Sequence, residues 1–138
     1  MAKQVFEVLT DAGSKKKKAD RIKVLQQNES WALKDVLRGT FDDTVNWILP
    51  DGDPPYTPSE VHNHPTSLLR EHKKFGYFAR GGPNKDMPKF KIEKMYIGML
   101  EGIHPEDARA VIKMINKEAP KNITEEIVKE AFPGLILS

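Results

Sequence analysis

A chain of 138 residues is one domain's worth, long enough to bury an apolar core without disulfides or a structural metal. It has no cysteine, which excludes a disulfide framework, a thiolate zinc site and a cysteine nucleophile, and suits a reducing compartment. Its 22 Lys and Arg stand against 20 acidic residues, a net +2 that says little about partners until its distribution is read.

Met1 to Gln4 lead into an amphipathic segment rather than a signal-peptide core, and the apolar runs are only a few residues long, so no segment reads as spanning or targeting a membrane. Val5, Phe6 and Leu9 form one face of a first helix ending near Ala12 and Gly13, a glycine suited to a helix stop. The basic block Lys15 to Lys18, with Arg21 and Lys23, follows. A helix starting right after Ser14 would crowd four lysines at the positive end of its dipole, each unfavourable by about 0.3–1 kcal/mol at low salt, and a phosphate would reverse that sign. A solvated linker with the helix starting at Ala19 or Asp20 is the other reading. Ile22 and Leu25 belong to this second helix, which closes around Asn28. Ser30 caps a third, with Leu33, Val36 and Leu37 inward and Gly39 near its end.

Phe41 to Ile48 suits either further helical turns or a strand. Residues 49–66 hold Pro50, Pro54, Pro55, Pro58 and Pro65, which remove backbone donors and extend their neighbours, so a loop with at most a small strand pair is expected. Ser67 opens a helix carrying Leu68, Leu69, Phe75 and Phe78, broken by the flexible, basic loop Arg80 to Pro88. Ile92, Met95, Tyr96 and Met99 have core-facing spacing and Gly102 ends their helix. Pro105 opens the next at its first position, with Ala108, Val111, Ile112 and Ile115 inward and Pro120 beyond its end. Thr124 caps the last helix, Glu125 and Glu126 sit favourably at its positive end, Ile127, Val128 and Ala131 face in, and Phe132-Pro133-Gly134 stops it. The expected fold class is mainly α: one domain over residues 1–138, a bundle of six to seven short helices with a Pro-rich loop 49–66, a basic loop 80–88 and a C-terminal tail 133–138.

Further basic blocks lie at Arg70 to Arg80 and Lys85 to Lys94, while acids gather at Asp42-Asp43, Asp51 and Asp53, Glu106-Asp107 and Glu125-Glu126, a segregation that permits a basic face. Catalysis is not expected: there is neither a Lys-x-Asp-Gly nucleotidyl-acceptor motif nor a Gly-rich phosphate loop leading to Lys-Ser or Lys-Thr. No cofactor or metal is expected either. His62 and His64 would lie on one side of an extended segment, where Asp51, Asp53 or Glu60 could complete a zinc or nickel site, but surface-loop histidines are the preferred reading. His72 reads as a helix-face residue and His104 as a helix start. Trp47, Pro54, Pro55 and Tyr56 form a rigid, partly apolar element that either covers the core, the preferred reading, or offers a protein-binding surface.

Gly13-Ser14, Lys15 to Lys18, Lys23-Val24-Leu25, Leu33-Lys34-Asp35-Val36-Leu37 and Phe41-Asp42 occur in that order at one end of the chain. At the other stand an apolar helix over 111–117, a polar turn over 119–124 and a short helix into Phe132-Pro133-Gly134-Leu135. Together they resemble the all-helical DNA-binding domain that precedes the catalytic core of T4-like and other ATP-dependent DNA ligases, here without that core. The loop 49–65 has no counterpart in it. The resemblance implies a non-enzymatic, sequence-independent grip on double-stranded or nicked DNA through the minor groove and sugar-phosphate backbone, by Gly13, Ser14, Lys15, Lys16, Lys17, Lys18, Arg21, Lys117, Lys121, Asn122 and Thr124. It further implies an accessory role in replication, repair or host takeover in the cytoplasm of an infected bacterium. By the same analogy a sliding clamp or other replication protein would be a partner, with Leu135 to Leu137 as a docking peptide. The run from Trp47 through Leu49-Pro50, Gly52 and Pro54-Pro55-Tyr56 is also similar to a small family of T4-like tailed-phage proteins to which no activity attaches. The rival readings are an adaptor or inhibitor of a host machine that binds through the Trp47 to Pro58 loop, and a minor virion component. Convergence of the lysines of 15–18 and 117–121 on one face favours DNA; scatter favours the adaptor.

Overall fold

The structure, a computed structural model, describes residues 3–50 and 52–137. Three of its helices begin where an N-cap side chain satisfies a free backbone N–H group. The Ser30 hydroxyl accepts from Leu33 N at 3.1 Å and opens α3 (Trp31–Phe41), and the Thr124 hydroxyl accepts from Ile127 N at 3.3 Å and opens α7 (Glu125–Ala131). Pro105 is the first residue of α6 (Pro105–Ile115), where His104 Nδ1 accepts from Glu106 N at 3.0 Å. The remaining helices are α1 (Val5–Ser14), α2 (Lys18–Gln27), the single turn α4 (Leu68–Glu71) and α5 (Lys89–Gly102). The mainly helical, single-domain fold expected from the sequence is the one observed, with no named strand among the described residues.

Three segments differ from expectation. Phe41 to Ile48 forms neither continuing helix nor strand: α3 runs on to Phe41, and Asp42 Oδ1 then accepts from both the N–H and the hydroxyl of Thr44, an Asx turn that ends the helix. The segment after it forms one isolated bridge, between Trp47 and Ala79, flanked by Ile48 N to Phe78 O and Arg80 N to Asn46 O. The helix after Ser67 keeps α geometry for one turn and then tightens to a 3₁₀ run over His72–Phe78. His72, Phe75 and Phe78 are the buried positions of that run, and a strict three-residue spacing is the period of a 3₁₀ helix. The basic loop at 80–88 is stitched down, with Asn84 Nδ2 donating to the carbonyls of Tyr77 and Ala79.

α6 organises the core. Ala108, Val111, Ile112, Met114 and Ile115 are buried on it, and it packs against α1, α3 and α5. α2 lies between α1 and α7, and the 3₁₀ run lies on α3. Two buried carboxylates tie distant segments together. Asp107, with none of its surface exposed, accepts from Phe6 N at 2.8 Å, so the first turn of α6 caps the first turn of α1. Its other oxygen has no hydrogen-bond partner, and burial pushes the carboxyl up to about 6 against the opposing hydrogen bond. Asp42, equally covered, accepts from Leu137 N at 2.9 Å and fixes the C-terminal tail. Burial by itself would raise its pKa, but the Leu137 and Thr44 hydrogen bonds and the nearby Arg38 outweigh it and hold the group at about 2.

Candidate nucleic-acid interface

The two ends of the chain meet at one point. Gly13, in the last turn of α1, lies against the 117–122 turn so closely that a Cβ on it would sit 2.5 Å from Lys121 O. Asn122 Nδ2 donates to Gly13 O at 2.8 Å across 109 residues of sequence. That carbonyl is one of those a helix C-terminus leaves unpaired, so the amide works as a cap supplied from the far end of the chain. Asn122 has φ 64, and Asn is among the few side chains that tolerate this left-handed region. A groove of about 560 Å³ opens beside the contact; Thr10, Gly13, Ser14, Lys113, Lys121 and Asn122 line it, with Arg109, Glu106 and Glu118 also on its walls.

The four lysines after Ser14 divide. Lys15, Lys16 and Lys17 form the connection between helices, and α2 begins at Lys18, neither directly after Ser14 nor as late as Ala19. Lys18 Nζ lies 2.6 Å from Glu126 and 2.9 Å from Glu130, both on α7, and these bonds raise its pKa. The mismatch between a lysine and the positive end of α2 is thus offset by two carboxylates of the protein itself. Lys15 lies 3.5 Å from Asp11. Lys16 and Lys17 are exposed and make no ion pair among the described residues. Arg21 Nε donates to Lys15 O at 2.9 Å, which braces the connection from behind.

In the second predicted patch, Lys121 and Asn122 adjoin Gly13, while Lys117 turns away: its Nζ donates to Asp42 O at 2.9 Å, and burial lowers its pKa. Thr124 uses its hydroxyl as the α7 cap. Gly13, Ser14, Lys121 and Asn122 are therefore brought together with the exposed Lys16 and Lys17 one short connection away, and Lys18, Arg21, Lys117 and Thr124 serve the fold. Lys113, the last-turn cation of α6 that lines the same groove, escaped the sequence reading because nothing in its local pattern ties it to residue 13.

The alternative protein-binding element is divided: Trp47, Pro54 and Tyr56 are half-buried, while Gly52, Asp53, Pro55, Thr57 and Pro58 are exposed. Trp47 is half-buried, donates its indole N–H to Gly39 O at 3.1 Å and meets Phe75 edge-on, so it covers the core. Tyr56 packs against the core while Pro55 stays exposed and Pro54 half-buried. Ile136 is buried and Leu135 half-buried, so of the tail proposed as a docking peptide only Leu137 projects outward. His64 Nδ1 pairs with Thr66 O, and no group of three or more His, Asp or Glu placed to hold a metal ion occurs among the described residues; Asp51 lies outside them. No described helix is long and apolar enough to cross a membrane. The model of one protein family, described as of unknown function, matches residues 8–121, and no curated protein matches the chain.

Proposed function

Because the chain belongs to DUF6433, a family of unknown function, we propose its role from the geometry alone: it grips duplex DNA without reading sequence, as a non-enzymatic accessory to DNA transactions. The supporting observation is the junction of the Gly13-Ser14 helix end with Lys121-Asn122, which sets Lys121 and Lys113 beside the connection that carries Lys16 and Lys17. Lysines at turns reach phosphate oxygens as point charges and position a protein on the duplex without base contacts. Affinity of this kind comes from counterion release and falls with salt by a slope of about 0.9 per phosphate neutralised.

The test is fluorescence-anisotropy titration of intact and nicked duplex at several salt concentrations, with wild type and a Lys16→Ala/Lys17→Ala/Lys121→Ala variant. The expected outcome is salt-dependent binding whose logarithmic slope drops by roughly three in the variant. No binding to either duplex at low salt rejects the proposal.

A further inference from the structure

Among the described residues the large exposed apolar side chains are Trp31, Val61, Phe90 and Leu137. Two of them are aromatic, and their surroundings differ in charge. Beside Trp31 the cations are taken, since Lys34 pairs with Glu29 and Arg38 with Asp42. Phe90, 72 % exposed at the start of α5, is flanked in sequence by the exposed Lys85, Lys89, Lys91 and Lys94. None of these four makes an ion pair among the described residues.

Helical spacing gathers the group on one face. Ile92, Tyr96, Met99 and Leu100 turn one side of α5 into the core; Phe90 and Lys94, one turn apart, stand opposite, with Lys91 beside them. Of the two carboxylates in the same stretch, Glu93 lines a cleft with Tyr96, Ile97, Pro54 and Pro55, which leaves Asp86 against four lysines. Glu101, two turns beyond Lys94, accepts from Thr57 N at 2.8 Å. Lys89 and Lys91 also occupy the first turn of α5, which has no acidic residue and no side-chain cap. The positive helix end therefore adds to the lysines, whereas at Lys18 it is offset by Glu126 and Glu130. The unfavourable crowding that the sequence suggests for α2 occurs at α5 instead.

We propose that this face of α5 holds a single nucleic-acid strand, with phosphates against Lys89, Lys91 and Lys94 and an unpaired base stacked on Phe90. Uncompensated positive charge selects an anionic occupant, and the make-up of the face selects among the anionic ones. A helix that lies in a bilayer surface sinks a whole apolar side, whereas the apolar residues of α5 other than Phe90 are buried or half-buried in the fold. Protein–protein contacts are poor in lysine and centred on apolar surface, whereas all four cations here are lysines around one ring. Lysines interleaved with an exposed aromatic suit a strand whose phosphates and bases are both accessible, held irrespective of sequence. The face shares no residue with the Gly13 to Lys121 junction, so the inference goes beyond the duplex grip to the unpaired strand of an end, flap or gap.

Anisotropy titrations of labelled oligo-dT and of a blunt duplex test it, with wild type, Phe90→Ala, Phe90→Tyr, Trp31→Ala and a Lys89→Ala/Lys91→Ala/Lys94→Ala variant. Phe90→Ala is expected to weaken oligo-dT binding by about 5- to 100-fold, the usual loss when a stacking aromatic is truncated. Phe90→Tyr retains most of the binding, Trp31→Ala retains all of it, and the lysine variant lowers the logarithmic salt slope by about two. Oligo-dT binding that is absent in wild type, equal in wild type and Phe90→Ala, or weakened as much by Trp31→Ala overturns the inference. So does sedimentation with phosphatidylserine vesicles that Phe90→Ala abolishes while oligo-dT binding is unaffected, which would make the face a lipid contact. Failure of the duplex arm alone counts against the proposed duplex grip and leaves the α5 face standing.

Discussion

Gly13→Ala is the substitution that most directly tests the junction between the chain ends. In an ordinary helical position, glycine to alanine gains about 1 kcal/mol. At Gly13 the new Cβ would stand 2.5 Å from Lys121 O, a backbone atom that no rotamer change can move. Relief requires α1 or the 117–122 turn to shift by half an ångström or more, at a cost of about 1–3 kcal/mol for overpacking. The same shift strains the Asn122 to Gly13 hydrogen bond, worth about 1 kcal/mol more. After the helical gain is subtracted, a net loss of about 1–3 kcal/mol is expected. Gly98, within α5, is the internal control, since a Cβ there meets nothing within 4 Å and Gly98→Ala should gain up to about 1 kcal/mol. Urea denaturation of both variants beside wild type measures the difference at constant m-value. If Gly13→Ala proves as stable as Gly98→Ala, the close approach is not what holds the two ends together and the reasoning fails.

Two further outcomes concern the buried carboxylates. Asp107 is raised from 3.8 to about 6, so the folded state binds its proton more tightly than the unfolded chain; the stability this gives is complete below about pH 3.8 and lost as pH rises through about 6, a change of at most about 3 kcal/mol. Asp107→Asn keeps an acceptor for Phe6 N and should flatten that part of the profile, and urea midpoints at pH 4, 5, 6 and 7 that run parallel to wild type would contradict it. Asp42 has the opposite sign: lowered from 3.8 to about 2, it stabilises above pH 3.8 and loses that contribution as pH falls through about 2. Allowing for screening by nearby solvent, Asp42→Asn should cost about 1–2 kcal/mol at pH 7 and almost nothing at pH 2, with the tail after Phe132 more readily trimmed by carboxypeptidase. Equal trimming of variant and wild type would remove Asp42 as the anchor of Leu137.

What the sequence reveals about this chain is what local chemistry controls. Hydroxyls at Ser30 and Thr124 and the ring of Pro105 mark helix starts because a cap acts within one turn, and the apolar faces of α3, α6 and α7 follow from helical spacing. The 3₁₀ run was not legible: the period of three in His72, Phe75 and Phe78 is too short to separate from helical spacing without knowing that these three residues are all buried. The site was half legible. The basic run at 15–18 is plain, but which lysines are spoken for depends on Glu126 and Glu130, more than a hundred residues away. Lys117 looked free, and only the fold shows its ammonium bound to the Asp42 carbonyl. Trp31, 70 % exposed, was passed over because an aromatic at a helix start is ordinarily covered, although helical spacing sets it two residues off the Leu33, Val36 and Leu37 stripe.

The placement of α1 bears on how the chain emerges from the ribosome. Its apolar stripe, Val5, Val8, Leu9 and Ala12, is sealed partly by neighbouring α2 and partly by α6, which lies some hundred residues downstream. At usual rates of synthesis, α1 waits roughly 5–20 s for that second partner. Throughout that interval part of the stripe lacks its α6 cover, and α2, with few apolar residues of its own, is the neighbour already made that packs most against it. Any change that frays α2 therefore acts first on the yield of soluble chain during translation, before it is felt in the stability of the finished fold.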